Sequence, residues 1–100
     1  MDYIETNIMQ AIWNDTVIAE SEDTVVVEGN HYFPFESIKE EYFQKTDLNT
    51  FCGWKGMANY YSVTVNEKTN KDCAWYYAEP NDAAIKIKGM IAFWNGVKVR

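Results

Sequence analysis

The chain has 100 residues, 47% of them hydrophobic and 24% charged, ordinary values for a globular domain that exclude disorder as its main state. At this length about two thirds of the surface exposed by the unfolded chain is buried on folding, enough for one modest core without metal or disulfide staples. Nine Lys+Arg against fifteen Asp+Glu leave a formal charge of −6, the lone arginine is Arg100, and Lys86 and Lys88 are the closest pair among scattered lysines, which disfavours a polynucleotide partner.

Residues 1–8 show no clear period and are expected to form an N-terminal extension, with residues 9–100 a single β-rich domain. Gln10–Trp13 and Thr16–Ala19 flank Asn14-Asp15, two residues that tolerate positive φ and suit a tight hairpin loop. The acidic stretch Glu20, Glu22, Asp23 reads as a solvated loop. Thr24–Glu28 is the clearest strand, its three adjacent valines predicting burial on both faces. Gly29-Asn30 turns the chain into His31–Phe33, and Pro34 then suits the first position of a helix. Phe35, Ile38 and Tyr42 at helical spacing predict one short amphipathic α-helix over about residues 35–43.

A polar loop is expected around Thr46–Thr50, then strands over Phe51–Lys55 and Ala58–Val65, joined to Asp72–Tyr77 through a five-residue loop at Asn66–Asn70. On alternation, Tyr61, Val63 and Val65 face away from Tyr60, Ser62 and Thr64. Likewise Cys73, Trp75 and Tyr77 face away from Ala74 and Tyr76. Pro80-Asn81-Asp82 breaks this strand, and Ala83–Ile87 suits a single helical turn. Met90–Trp94 and Val97–Arg100 flank Asn95-Gly96, the strongest short hairpin signal in the chain. Ala11–Val17 and Ala92–Val97 echo one another around Trp-Asn, either as pseudo-symmetry or as one good turn chemistry used twice. The expected fold is mostly β: a compact small β-barrel, or a strongly bent antiparallel sheet, of about eight short strands with that one helix.

Cys52, Cys73 and His31 are fewer soft ligands than a closed structural zinc site requires, and the cysteines form no CxxC unit. No basic-then-apolar leader opens the chain, and no apolar run approaches the ~18 residues of a membrane span. A cytoplasmic setting is therefore expected, with no Cys52–Cys73 disulfide, no membrane association and no cofactor.

Four ordered motifs carry a resemblance: Val25–Pro34, Cys52-Gly53-Trp54-Lys55-Gly56 with Ala58, Tyr60 and Tyr61, Ala74–Tyr77 with Pro80, and Lys88–Trp94. Together, over about Met9 to Val99, they resemble the domain of unknown function 427 family, sometimes labelled a nucleotidyltransferase-type domain. The resemblance implies a small, mostly β single domain and leaves activity open. The chain departs from the family at Gly53, where Pro is frequent, and at Cys73, where Asp or Ala is usual. Nucleotidyl transfer needs carboxylates for Mg²⁺ and a backbone cradle for a triphosphate. The sequence holds no Asp-x-Asp pair, GxxxxGK[ST] loop or GxGxxG, so a carboxylate pair would have to come from distant strands.

Among individual residues, Lys55 lies between a tryptophan and a glycine in an acidic chain. It either meets an anionic ligand or lays its stem along the core. Glu28 ends an apolar strand, where it serves as a general base, salt-bridges Lys55, or does both. His31 is either a partner for Cys52 or a satisfied turn histidine. Cys52 is either a nucleophile or a small buried hydrophobe. The rings of Trp54, Tyr60, Tyr61, Trp75, Tyr76 and Tyr77 on adjacent strands exceed one core face and suggest a pocket wall. The leading expectation is a small, anionic or neutral ligand in an aromatic-walled pocket. Glu28, Asn30, His31, Trp54, Lys55, Tyr60, Trp75 and Tyr77 would bind it, with Glu28, His31 and Lys55 at its polar end. Two alternatives stand beside it: a non-catalytic interaction module using an exposed aromatic face, and a Cys52-dependent enzyme with Glu28, His31, Cys52 and Lys55 as the catalytic candidates. The protein is expected as a monomer or weak homodimer.

Overall fold

A computed structural model describes residues 7–100, so residues 1–6 of the expected extension lie outside the described residues. Among the described residues nine strands form three sheets: β1 (Met9–Trp13), β2 (Thr16–Ser21), β3 (Val25–Val27), β4 (Asn30–Tyr32), β5 (Phe43–Cys52), β6 (Gly56–Val65), β7 (Lys68–Tyr76), β8 (Ile91–Phe93) and β9 (Lys98–Val99). Their orders are β2-β1-β9, β3-β4 and β5-β6-β7-β8, with every ladder antiparallel. The sheets are open, and the described residues form no closed barrel. Single bridges join Phe33, just after β4, to Ile91 of β8, and Ala19 of β2 to Ile38 in the segment between β4 and β5.

The expected helix over 35–43 is replaced by two 3-10 turns, Phe35–Ser37 and Glu40–Tyr42. Between them Ile38 is extended, and the Lys39 amide donates to the Ile18 carbonyl at 2.8 Å. The edge of β2 recruits this backbone, and the ladder bond interrupts the helix that Phe35, Ile38 and Tyr42 would have formed. Ile38 is still buried, so the apolar signal was real and only its conformation was misread.

Turn chemistry explains other departures. Asn66 and Glu67 take positive φ of 51° and 66°, and Val65 pairs directly with Lys68. The expected five-residue loop is therefore a two-residue one. Asn95-Gly96 also turns left-handed, with φ of 56° and 90°, but its flanks do not pair. β8 joins β7 and β9 joins β1, so this turn hands the chain from one sheet to another. The echo around Trp-Asn is thus shared turn chemistry, since only Asn14-Asp15 closes a ladder. The polar stretch after Lys45 belongs to β5, where Thr46, Asp47 and Leu48 together face Tyr60 as a bulge. Residues 53–55, expected to end a strand, form the loop between Cys52 and its partner Gly56.

Two apolar clusters lie on opposite faces of β6 and β7. The first gathers Ile18, Phe33, Tyr61, Val63, Ala74, Ile91 and Phe93 among others. The second gathers Val27, Tyr32, Ala58, Tyr77, Ala84, Ile87 and Ala92, with Tyr60 and Trp75 packed against it. Alternation places Tyr61 against Tyr60 and Tyr76 against Trp75 as the sequence predicted. Cys73 breaks the rule by joining the first cluster, because Asp72 before it sits at a bulge with φ of 55°. The valine strand is buried on one face only, leaving Val26 54% exposed.

Candidate functional site

On the face of the four-stranded sheet that carries the second cluster lies a cleft of about 250 Å³, lined by Lys55, Tyr60, Trp75, Tyr77 and Trp94. Register explains its walls. Tyr60 and Trp75 are cross-strand partners on β6 and β7, and Trp75 pairs in turn with Ala92 on β8. Two residues beyond Ala92, Trp94 returns to the same face by strand alternation. Its indole N–H donates to the Asp72 carbonyl at 2.8 Å, which steadies the ring although the residue is 53% exposed. Trp75 is fixed from below: its indole N–H donates to the buried Tyr32 hydroxyl at 3.1 Å, and the two rings meet edge to face with centroids 6.2 Å apart. Tyr60 shares a hydrogen bond with Thr50 at 2.9 Å.

Lys55 supplies the polar end. It is only 6% exposed, and its ammonium meets the Glu28 carboxylate in a hydrogen-bonded ion pair. The ammonium also lies 5.4 Å from the Tyr77 ring centroid and 5.5 Å from that of Trp54, within cation–π range. The loop presenting it is pinned from below. Asn81 donates its backbone N–H to the Lys55 carbonyl at 2.9 Å and its side-chain amide to the Gly53 carbonyl at 3.3 Å. Gly56, which follows Lys55, has φ of +111°, a backbone conformation that L side chains rarely adopt.

Glu28 reaches Lys55 from the two-residue turn joining β3 and β4, where Glu28 and Gly29 have φ of 53° and 79°. Its side chain remains 51% exposed. The Lys55 hydrogen bond holds the Glu28 carboxyl below the usual carboxylate value. Burial alone would pull the Lys55 ammonium down, but the bond to Glu28 and the neighbouring Tyr32 and Tyr77 raise it above the ordinary lysine value. Burial raises the Tyr77 phenol, with Lys55 partly opposing it. At neutral pH the site therefore holds a carboxylate, an ammonium and a neutral phenol. In its protonated form the ammonium can hold and orient negative charge.

Of the residues singled out from sequence, the structure brings Lys55, Tyr60, Trp75 and Tyr77 together around the cleft and attaches Glu28 to its polar end. Trp54 flanks the ammonium without lining the cleft. Asn30 shares the inward face of the β3–β4 hairpin with Tyr32 but does not line the cleft either. His31 pairs with Val26 on the opposite face, and its Nδ1 shares a hydrogen bond with the Thr24 hydroxyl at 2.9 Å. The expected polar end thus loses His31, because strand alternation turns it away from Tyr32. Cys52 closes β5 half-buried against the second cluster, away from that histidine's face. Tyr61 and Tyr76 stack in the other cluster with centroids 4.8 Å apart. Among the described residues no three His, Cys, Asp or Glu side chains gather to hold a metal ion. Both Trp-Asn turns border a second cavity of about 290 Å³, lined in part by Trp13, Lys98 and Arg100. It has no buried ionic group and a single ring, so the first cleft is the better candidate.

A small domain of open antiparallel sheets, with an aromatic cleft on one face of the four-stranded sheet, is the class these features define. The chain belongs to the family described as Domain of unknown function (DUF427), whose profile matches residues 5–100. A comparison with curated proteins gives no match. No helix is long and apolar enough to cross a membrane among the described residues.

Proposed function

We propose that the domain binds a small planar molecule in the cleft, its ring held among Tyr60, Trp75, Tyr77 and Trp94 and its polar end directed to Lys55. The observation that carries this reading is a nearly buried lysine at the end of a concave aromatic wall. Desolvating a charge costs several kcal/mol, roughly, and a purely structural core would avoid it with an apolar residue. Ligand sites combine this mixture of apolar walls and few placed polar groups, although about 250 Å³ is small among them. The paired, fully ionised Lys55 and Glu28 support binding more than proton transfer. Two free thiols support a reducing, cytoplasmic setting for it.

The test is the mass of freshly purified protein under native conditions against its denatured mass. A reproducible excess of small-molecule size that disappears in Lys55→Met and Trp94→Ala is expected. A bare chain mass, together with unmoved Trp75 and Trp94 indole resonances across a panel of small aromatic compounds, would overturn the reading.

A second reading has its own observation. Phe51 and Met57 pair across β5 and β6 yet stand 73% and 47% exposed, near Trp54 and beside the unpaired outer side of β5. This patch suits a protein partner or a second copy. Sedimentation that is independent of concentration, and identical in Phe51→Ser, would count against a second copy.

A further inference from the structure

We propose that Glu28 is a displaceable occupant of the cleft's polar end, and that the ligand is a small planar aromatic with one anionic head group, which replaces the Glu28 carboxylate on Lys55. This rests on the cleft reading above and adds the ligand's charge and the event that admits it.

The chain's own turns single out Glu28. Among the described residues three other left-handed two-residue turns open with asparagine: Asn14-Asp15, Asn66-Glu67 and Asn95-Gly96. Asparagine tolerates that conformation better than other non-glycine residues. The fourth opens with glutamate at φ of 53°, and that glutamate alone reaches across to a buried ammonium. A residue held in a disfavoured conformation while making a specific contact is an indication of function.

The two partners are also unequally held. Lys55 sits on a loop fixed by two hydrogen bonds from Asn81, whereas Glu28 stands on a two-residue turn with half its side chain in water. Displaced, the carboxylate rehydrates in place with little rearrangement. The ammonium, on its fixed loop, has no such escape and is uncompensated without an anion beside it. Exchange of one carboxylate for one ligand anion keeps the buried charge compensated throughout. A cationic ligand would face Lys55 directly, and a neutral one would leave Glu28 where it is.

The probes are benzenesulfonate, its neutral counterpart benzenesulfonamide, and benzylammonium, titrated while the Trp75 and Trp94 indole resonances are followed. Benzenesulfonate is expected to move both signals, and to bind Glu28→Gln about tenfold more tightly if the turn vacates Lys55 a tenth of the time. Glu28→Asn, which suits the turn and shortens the side chain, should show the same gain. Lys55→Met should lose sulfonate binding, and benzenesulfonamide affinity should be the same in wild type and Glu28→Gln. Sulfonate affinity unchanged or weakened in both Glu28 variants, or tighter binding of the amide or the amine in the cleft, overturns the exchange and leaves the cleft reading standing. Silence of both indoles with every probe, in wild type and variants, overturns both.

Discussion

Lys55 keeps its carboxylate over a pH range set by both partners. Because Glu28 has its value lowered in the fold, its contribution to stability is present above the unfolded carboxylate value and is lost as pH falls through the folded one. Lys55 is raised, so its contribution is complete below the unfolded lysine value of 10.5 and is lost only as pH rises beyond it. Cys73 is pushed up to about 11 by burial. Its neutral thiol likewise favours the fold below the free-thiol value of 9.0 and loses that effect as the pH climbs toward 11. Thermal melts of Glu28→Gln should therefore match wild type in shape from pH 5 upward and show a flatter acid limb below about pH 4.5. The difference should be small, because Glu28 is half in water and solvent screens the pair. At this scale the sequence was informative where chemistry was odd: a lysine between Trp54 and Gly56 in an acidic chain, and a glutamate ending a valine run. It was silent on Trp94, whose place in the wall depends on its register with Ala92 and on the Asp72 carbonyl that anchors it. It misjudged His31, since facing is decided by strand parity and the parity of a three-residue strand is not visible in its composition.

The loop between β5 and β6 places the ammonium through its glycines, and these are not equivalent. A Cβ at Gly53 would meet nothing within 4 Å, whereas one at Gly56 would touch Asn81 at ordinary contact distance but must tolerate φ of +111°. Gly56→Ala should cost about 1–2 kcal/mol and move the Trp75 and Tyr77 signals as the Lys55 loop shifts. Gly53→Ala should change stability by less than about 1 kcal/mol; chemical denaturation of the two variants side by side checks both. Elements were legible where local chemistry decides alone. Asn14-Asp15 and the alternation of Tyr60 through Val65 came out as read. They were misread where a distant backbone intervenes. The Ile18 carbonyl takes the Lys39 amide and breaks a helix, and Lys68, Thr69 and Asn70 join β7 because Val65 meets Lys68 directly and the Asn70 side chain reaches the Asn95 carbonyl.

Across the molecule, two clusters share two strands. β6 and β7 send alternate side chains into each, so neither cluster persists when those strands part. One unfolding transition is expected despite two cores. Ile18→Val in the first and Ile87→Val in the second, both fully buried, should each cost about 0.5–1.5 kcal/mol. Calorimetry should show one peak in both variants, moved down by roughly 4–8 °C per kcal/mol; a split peak would mean the clusters melt apart. Family membership and a mostly β chain were readable from motifs. Closure was not, because whether a sheet meets its own edge depends on which strands Asn95-Gly96 connects, and identical turn residues serve a hairpin and a crossover alike.

The bulge lies on an edge strand, β5, whose outer side no other strand of the described residues covers. Its ten residues would otherwise offer a straight rail on which another copy could add, strand upon strand, without limit. Thr46, Asp47 and Leu48 crowd opposite Tyr60 alone and split that rail into two short, misaligned runs. Removing Asp47 and Leu48 restores one-to-one opposition without reversing the parity of either run. The shortened chain should seed ordered fibres, seen as a lag followed by rising thioflavin fluorescence, under conditions where the natural chain gives none. On this account three crowded residues would serve as a terminator of polymer growth.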